Sequence, residues 1–441
     1  MMGFLKNFVK KYAALLPPIG LLVLAILLLL PTLWLGGKVK GEMETSIKQA
    51  QTIQSLKAKV PSKDAPVQSK QYMDRLQGEV KMVDALIEQS SQRELIAYNI
   101  FPEPTDTSSQ VYVEFGKSYQ KAIEELLTAM NALDAPTDAE IRSQTGTGRQ
   151  PGVGGNLGYA PAGGAQRSAS QDPMVSALCI ARAEKISVYA NPSSFLWYDF
   201  WQKFKFEGKD PALQDCWNSQ IALWIYNDVV KTVQVMNAGS NKVSTSPVKR
   251  LLGVSYSGPV QVTGGQTAYY EMGRGQTTAG RDNLNYVSST LTSNFMVEPW
   301  TGRIGGPDYD VIHFAVSIIV DNRFVLGFMR ELCSEKDHSF REEFKADGSL
   351  VPSRHNQVTI LRNAIHVVGK DDPAHDLYHY GSGAVMRLDL VCEYLLSRKG
   401  YDAIKPQPIK KTLGQDEAAP GTTGGTPAPA LPGSRLPANF M

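Results

Sequence analysis

The chain has 441 residues, with 45 basic and 43 acidic side chains and a formal net charge of +2. That length suits about two or three domains of ~150 residues each, and the near-neutral balance excludes nucleic-acid binding driven by bulk charge. Mean hydropathy is −0.22, so any membrane segment must be local.

One such segment stands first. From Tyr12 to Gly37 no residue is charged. As a helix rising ~1.5 Å per residue, Ile19–Leu35 spans roughly 25 Å, against a hydrocarbon core of ~30 Å. A cleaved export signal needs a shorter apolar core followed by small residues, whereas this run ends Leu33-Trp34-Leu35-Gly36-Gly37-Lys38. The sequence therefore predicts that residues 1–37 are a tip and an uncleaved transmembrane helix, anchored through Ile19, Leu22, Ile26, Leu30 and Trp34. Lys6, Lys10 and Lys11 precede the span and only Lys38 and Lys40 follow it closely. The positive-inside rule then puts the N-terminus in the cytoplasm and the bulk outside.

Residues 38–141 read as a helical stem. In QYMDRLQGEVKMVDALIEQS the apolar residues Met73, Leu76, Val80, Val83 and Ile87 recur at heptad steps, with Arg75, Glu79, Lys81 and Glu88 on other faces. Pro61 and Pro66 separate this stretch from a looser one before it. A further helix is predicted near 109–133, with Phe115, Tyr119, Ile123, Leu126 and Met130 on one stripe. Such a stripe packs on another chain or folds back as a hairpin, and a single rod favours another chain. Residues 142–172 are rich in Gly, Ser, Ala and Pro and read as a flexible linker.

A folded α+β region follows at 173–408. The pattern predicts a strand near 182–190, then a helix at 211–237 with Leu213, Trp217, Ile221, Trp224, Val229 and Val233 on one face. Strands follow at 247–257 and 310–320, separated by a long Gly-rich loop at 257–308. Asp321 or Asn322 caps a helix over 322–336, and strands close the region at 357–368 and 384–396. In the last, Met386, Leu388, Leu390, Cys392 and Tyr394 alternate with Arg387, Asp389 and Glu393. Two helix–strand–strand units build one antiparallel four-stranded sheet with both helices on one face, leaving the other for water or a partner. Residues 409–441, centred on TTGGTPAPALPGS, read as a disordered tail.

FAVSIIVDNRFVLGFMREL and VMRLDLVCEYLL, within residues 310–396, resemble the strand–helix and closing strand of the PilO/PilN-type assembly-platform proteins of type IV pili and of the GspM-type proteins of type II secretion. The resemblance implies a permuted ferredoxin-like domain, a bacterial inner-membrane location with a periplasmic bulk, and homo- or heterodimers with similar platform proteins. The 257–308 loop, the 142–172 linker and the tail have no counterpart in that family.

Chemistry is harder to find. KDDPAHDLYHYG, residues 370–381, holds Asp371, Asp372, His375 and His379, but Pro373 makes it a polar hairpin loop rather than a metal-binding helix face. His313 and His366 fall in strands. The four cysteines show no CxxC spacing, and Cys216, Cys333 and Cys392 sit on apolar faces, which favours buried thiols. There is no phosphate-binding glycine motif and no nucleophile elbow. The sequence therefore predicts no catalytic, cofactor-binding or metal-binding residue. It points to a non-enzymatic, membrane-anchored scaffold that contacts inner-membrane lipid and works by protein–protein association, and not to a nucleic-acid binder. The alternative is a membrane-tethered ligand-binding or sensory module, with a site between loop 257–308 and helix 211–237.

Overall fold

The computed structural model describes residues 16–59, 65–106, 108–145, 172–256, 260–263, 266–269, 283–291, 293, 295–369 and 372–415. They fall into two units, Met1–Val83 and Asp84–Met441. The first holds helix α1 (Leu16–Lys59) and most of α2 (Ala65–Ser91). The second holds everything from the last turns of α2 onward.

The single-pass anchor is corrected by the structure. Among the described residues no helix is long and apolar enough to cross a membrane, and the helix that carries the apolar run continues unbroken through Lys38, Lys40, Glu42 and Glu44. The inner-membrane location with a periplasmic bulk is withdrawn with it. Leu22 is exposed; the side chains of Ile19, Ile26, Leu30 and Trp34 lie outside the described residues.

The second unit is organised around α7 (Lys209–Met236) and a mixed sheet. The helices before α7 are α3 (Ser109–Ala129), α4 (Asp138–Thr145), α5 (Pro173–Ala183) and α6 (Tyr198–Gln202). The sheet has eight strands in the order β1 (Ala132–Leu133), β2 (Val188–Tyr189), β3 (Val248–Ser255), β8 (Tyr309–Asp321), β12 (Val385–Ser397) and β11 (Val358–Val367). β6 (Asn285–Val287) joins β8, and β7 (Met296–Val297) joins β6. Pairs β1–β2, β2–β3 and β6–β7 are parallel, and the long central pairs are antiparallel. The expected ferredoxin-like domain of two helix–strand–strand units, with a purely antiparallel sheet, is therefore overturned. Short segments from 132–133, 188–189 and 285–297 extend the sheet beyond four strands, and too few residues lie in each for periodicity to reveal them.

The central strands follow from their residues. β12 pairs Leu388 with Ile318, Leu390 with Val316 and Cys392 with Phe314 across β8, and all six side chains are buried in the main core beneath α7. The opposite face is covered by the chain itself. Tyr189, Leu252, Ile319 and Tyr380 form a second cluster, closed by Arg250, whose guanidinium stacks 3.5 Å over the Tyr378 ring. α8 (Val325–Leu332) follows β8 directly, and Asp321 caps the intervening turn by accepting from the Arg323 amide at 3.0 Å. A hairpin of β9 (Lys336–Arg341) and β10 (Leu350–His355) leads into β11, and β4 (Val260–Thr263) pairs β5 (Gln266–Tyr269) within the segment expected as loop.

α3 is part of this unit. Val111, Tyr112, Phe115, Tyr119, Ile123 and Leu127 are buried, packed on α7 and α6. Asn131, in the left-handed region at φ 50°, then turns the chain into β1; asparagine tolerates that conformation better than most residues. The C-terminus is packed as well. α9 (Arg398–Tyr401) and α10 (Gln407–Thr412) follow β12, and Ile409 is buried although it falls in the expected tail. Asp310 at the start of β8 is buried beneath Lys405 and Tyr401, both of which donate to it, and Gln415 adds a bond of 2.8 Å. Residues 146–171 of the expected linker and 416–441 of the expected tail lie outside the described residues.

Gly116 gives a test of where α3 packs. A Cβ there would lie 2.5 Å from Trp201 Cε3, inside the packed core. Gly116→Ala should lower the unfolding free energy by about 1–3 kcal/mol, read by urea denaturation. An unchanged midpoint would show that α3 does not pack on Trp201.

Candidate functional site

Two features rise above ordinary packing: an exposed apolar stripe on α2 and a buried polar network on α7. Met73, Leu76, Val80, Val83 and Ile87 keep their heptad spacing on α2, and each is 40–53% exposed.

The network begins with an exception to the apolar face of α7. Trp224, Asp228 and Lys231, at helical spacing, line one side of a cavity of about 140 Å3. The other walls come from Arg93, just after α2, and from His338 on β9. The chain is held there by α7 itself. Gln220 Oε1 accepts from the Ile96 amide at 2.8 Å and Trp224 Nε1 donates to the Glu94 carbonyl at 2.9 Å. Ser91 Oγ accepts from the Ser397 amide at 2.7 Å, so the end of α2 is tied to β12. Gly400 lets α9 approach, since a Cβ on it would run into the Glu88 carbonyl.

Asp228 is at the centre. Its Oδ2 accepts from Tyr394 Oη at 2.7 Å, and Tyr394 Oη in turn accepts from Arg93 Nη2 at 2.9 Å. Arg93 Nη2 also donates to Gln357 Oε1, and Gln357 Nε2 donates to Ser91 Oγ at 3.0 Å. His355, at the end of β10, brings Nε2 to 3.2 Å from Asp228 Oδ1, near enough to attract but not aligned as a hydrogen bond. The His338 and His355 rings meet edge to face, with centroids 5.0 Å apart.

These contacts set the protonation states. Burial pushes the Asp228 carboxyl up, but His355, Arg93 and Tyr394 outweigh it and hold the group below the usual carboxylate range. Burial raises Tyr394 far above its ordinary value, so its hydroxyl keeps the proton it donates. His338 is pushed down to about 3 by burial, with the Arg93 and His355 charges adding to the effect. Burial likewise lowers His355.

The arrangement resembles part of a hydrolytic triad but lacks its nucleophile. Asp228 faces His355, yet His355 Nδ1 is buried with no partner, so among the described residues no hydroxyl or thiol is positioned for attack. Among the described residues no group of three or more His, Cys, Asp and Glu gathers where it could hold a metal ion. In the 370–381 segment, residues 370 and 371 lie outside the described residues. His375 is part of a 3-10 turn with Nδ1 2.8 Å from Tyr380 Oη, packed into the second cluster. His313 lies in β8 and His366 in β11. Trp197, Trp201 and Trp217 are core residues, and only Trp224 reaches the cavity. All four cysteines are free thiols; Cys179, Cys216 and Cys392 are buried and Cys333 is half-buried. Comparison with protein-family models, with characterised proteins and with solved structures returns no match.

The network sets a pH dependence. An unfolded histidine takes up a proton near 6.5, whereas folded His338 does so only near 3. Between those values the unfolded chain binds more protons, so stability is full above pH ~6.5 and falls as pH drops. Allowing for partial exposure, His338 should contribute about 1 kcal/mol per pH unit of that fall. Urea unfolding at stepped pH should give a shallower slope between pH ~6 and ~4 for His338→Gln; coincident slopes would show that His338 is not held neutral.

Proposed function

We propose that the protein is a non-enzymatic scaffold that acts by association, a second copy of α2 lying along the stripe Met73, Leu76, Val80, Val83 and Ile87. One observation carries this reading: five apolar side chains at a and d spacing on a 27-residue helix, all left substantially in water. Water-exposed apolar surface gains ~25 cal/mol per Å2 on burial, before the cost of association. An a/d seam is the geometry in which two such helices interlock. The likeness of residues 310–396 to assembly-platform proteins supplies the client class, the platform of a type IV pilus or type II secretion machine, and co-purification of such a platform tests that part.

Val80→Asp combined with Val83→Asp places two charges in the seam. The full-length double variant should lose self-association by light scattering, while its urea midpoint for the Asp84–Met441 unit stays unchanged. Undiminished self-association of the double variant refutes the role of the stripe.

A further inference from the structure

The cavity beside Asp228 has an unbalanced inner wall. Tyr394 donates to one Asp228 oxygen, and His355 Nε2 stands 3.2 Å from the other without an aligned bond. Arg93 is only half engaged. Its Nη2 has two acceptors, while Nη1 is buried with no partner. The Lys231 ammonium, which carries three N–H donors, gives one to the Asp337 carbonyl. Two cations, Arg93 and Lys231, thus line the cavity with the buried carboxylate of Asp228; the lining also includes Glu94, which is half-exposed and lies 3.8 Å from Arg341 outside the cavity. Burial also pushes Lys231 below its ordinary value, against the pull of the Asp228 and Asp337 charges.

The wall holds one acceptor as well. His338 Nε2 lies 3.3 Å from the Gln89 carbonyl, which can only accept, so Nε2 carries the proton. Nδ1, buried with no partner, is then a lone pair awaiting a donor. Trp224 supplies an apolar surface between them.

We propose that this cavity binds a small carboxylate monoanion bearing a hydroxyl, of the glycolate or lactate class. Its carboxylate accepts from Arg93 Nη1 and Lys231 Nζ, and its hydroxyl donates to His338 Nδ1. A single negative charge completes the inner wall. A phosphate dianion would set a second excess charge against buried Asp228, and a cation would meet Arg93 and Lys231.

Isothermal titration of the full-length chain with sodium glycolate, lactate, acetate and phosphate tests this. Glycolate and lactate should bind saturably at one site, about fivefold tighter than acetate for the added hydrogen bond. Lys231→Met should weaken glycolate about tenfold, as expected for a lost charge-assisted bond, with Lys231→Arg restoring it. His338→Leu should erase the preference for glycolate over acetate. No saturable heat at about 10 mM glycolate, ten times a Kd of about 1 mM, overturns the site, as does tighter binding of phosphate. Glycolate and acetate binding equally to the unaltered chain overturns the role of His338 whether or not the variants fold.

Discussion

A helix buried on almost every side between Ala212 and Val233 sets the terms for the rest of this molecule. Over that stretch α7 buries its aromatic and aliphatic residues and also Asp215, Asn218, Ser219, Gln220, Asp228 and Thr232. Burying a polar side chain is costly unless a partner takes the place of water. The surrounding chain is shaped by that demand. Gln220 and Trp224 hold the segment after α2, Ser219 accepts from Trp201 Nε1 at 2.9 Å, and Asn237 at the helix end clamps both the amide and the carbonyl of Val248. Asp228 draws in β12 through Tyr394 and the β9–β10 hairpin through His355. The segments that cover α7 are therefore fixed by directional bonds as well as by packing.

This arrangement concentrates risk. A buried, satisfied carboxylate loses its compensation when one partner is removed, which is costly, whereas exchanging the whole set for apolar residues is often neutral. Arg93, Tyr394 and Gln357 form one connected unit with Asp228 and are expected to behave non-additively. The cavity lies at the edge of that unit, where Arg93 and His338 have a bonding atom left over. The exposed stripe on α2 is a different kind of feature, since its side chains are unfinished in the apolar sense.

What could be read from the sequence was what periodicity carries. The long strands near 250, 315, 362 and 391, the helix around Trp217 and Trp224, and the capping Asp321 each show a run long enough to display its period. Two-residue strands show none, and neither does KDHSFR in β9, where charge hides the alternation. The stripe on α3 was visible, but a stripe does not say what covers it, and here it packs inside its own unit. The opening run reads as an anchor from its uncharged length and its flanks, but among the described residues no helix is long and apolar enough to cross a membrane. The network was out of reach because Asp228, His355 and Tyr394 lie far apart in sequence. The one local signal is Asp228 and Lys231 interrupting the Trp224–Val233 apolar stretch of the helix.

The Asp310 contact has a consequence for biosynthesis. Its partners Tyr401, Lys405 and Gln415 come 91, 95 and 105 residues later in the chain. A ribosome delivers residues one by one from the N-terminus, so β8 emerges long before the groups that neutralise its buried aspartate. Strand β12, which pairs β8 along its whole length, is equally late. Contacts this distant in sequence close slowly and only after the intervening chain exists. β3, made earlier, can pair one edge of β8 at once, but the other edge must wait for β12, and in that interval an open strand edge can pair with another nascent copy.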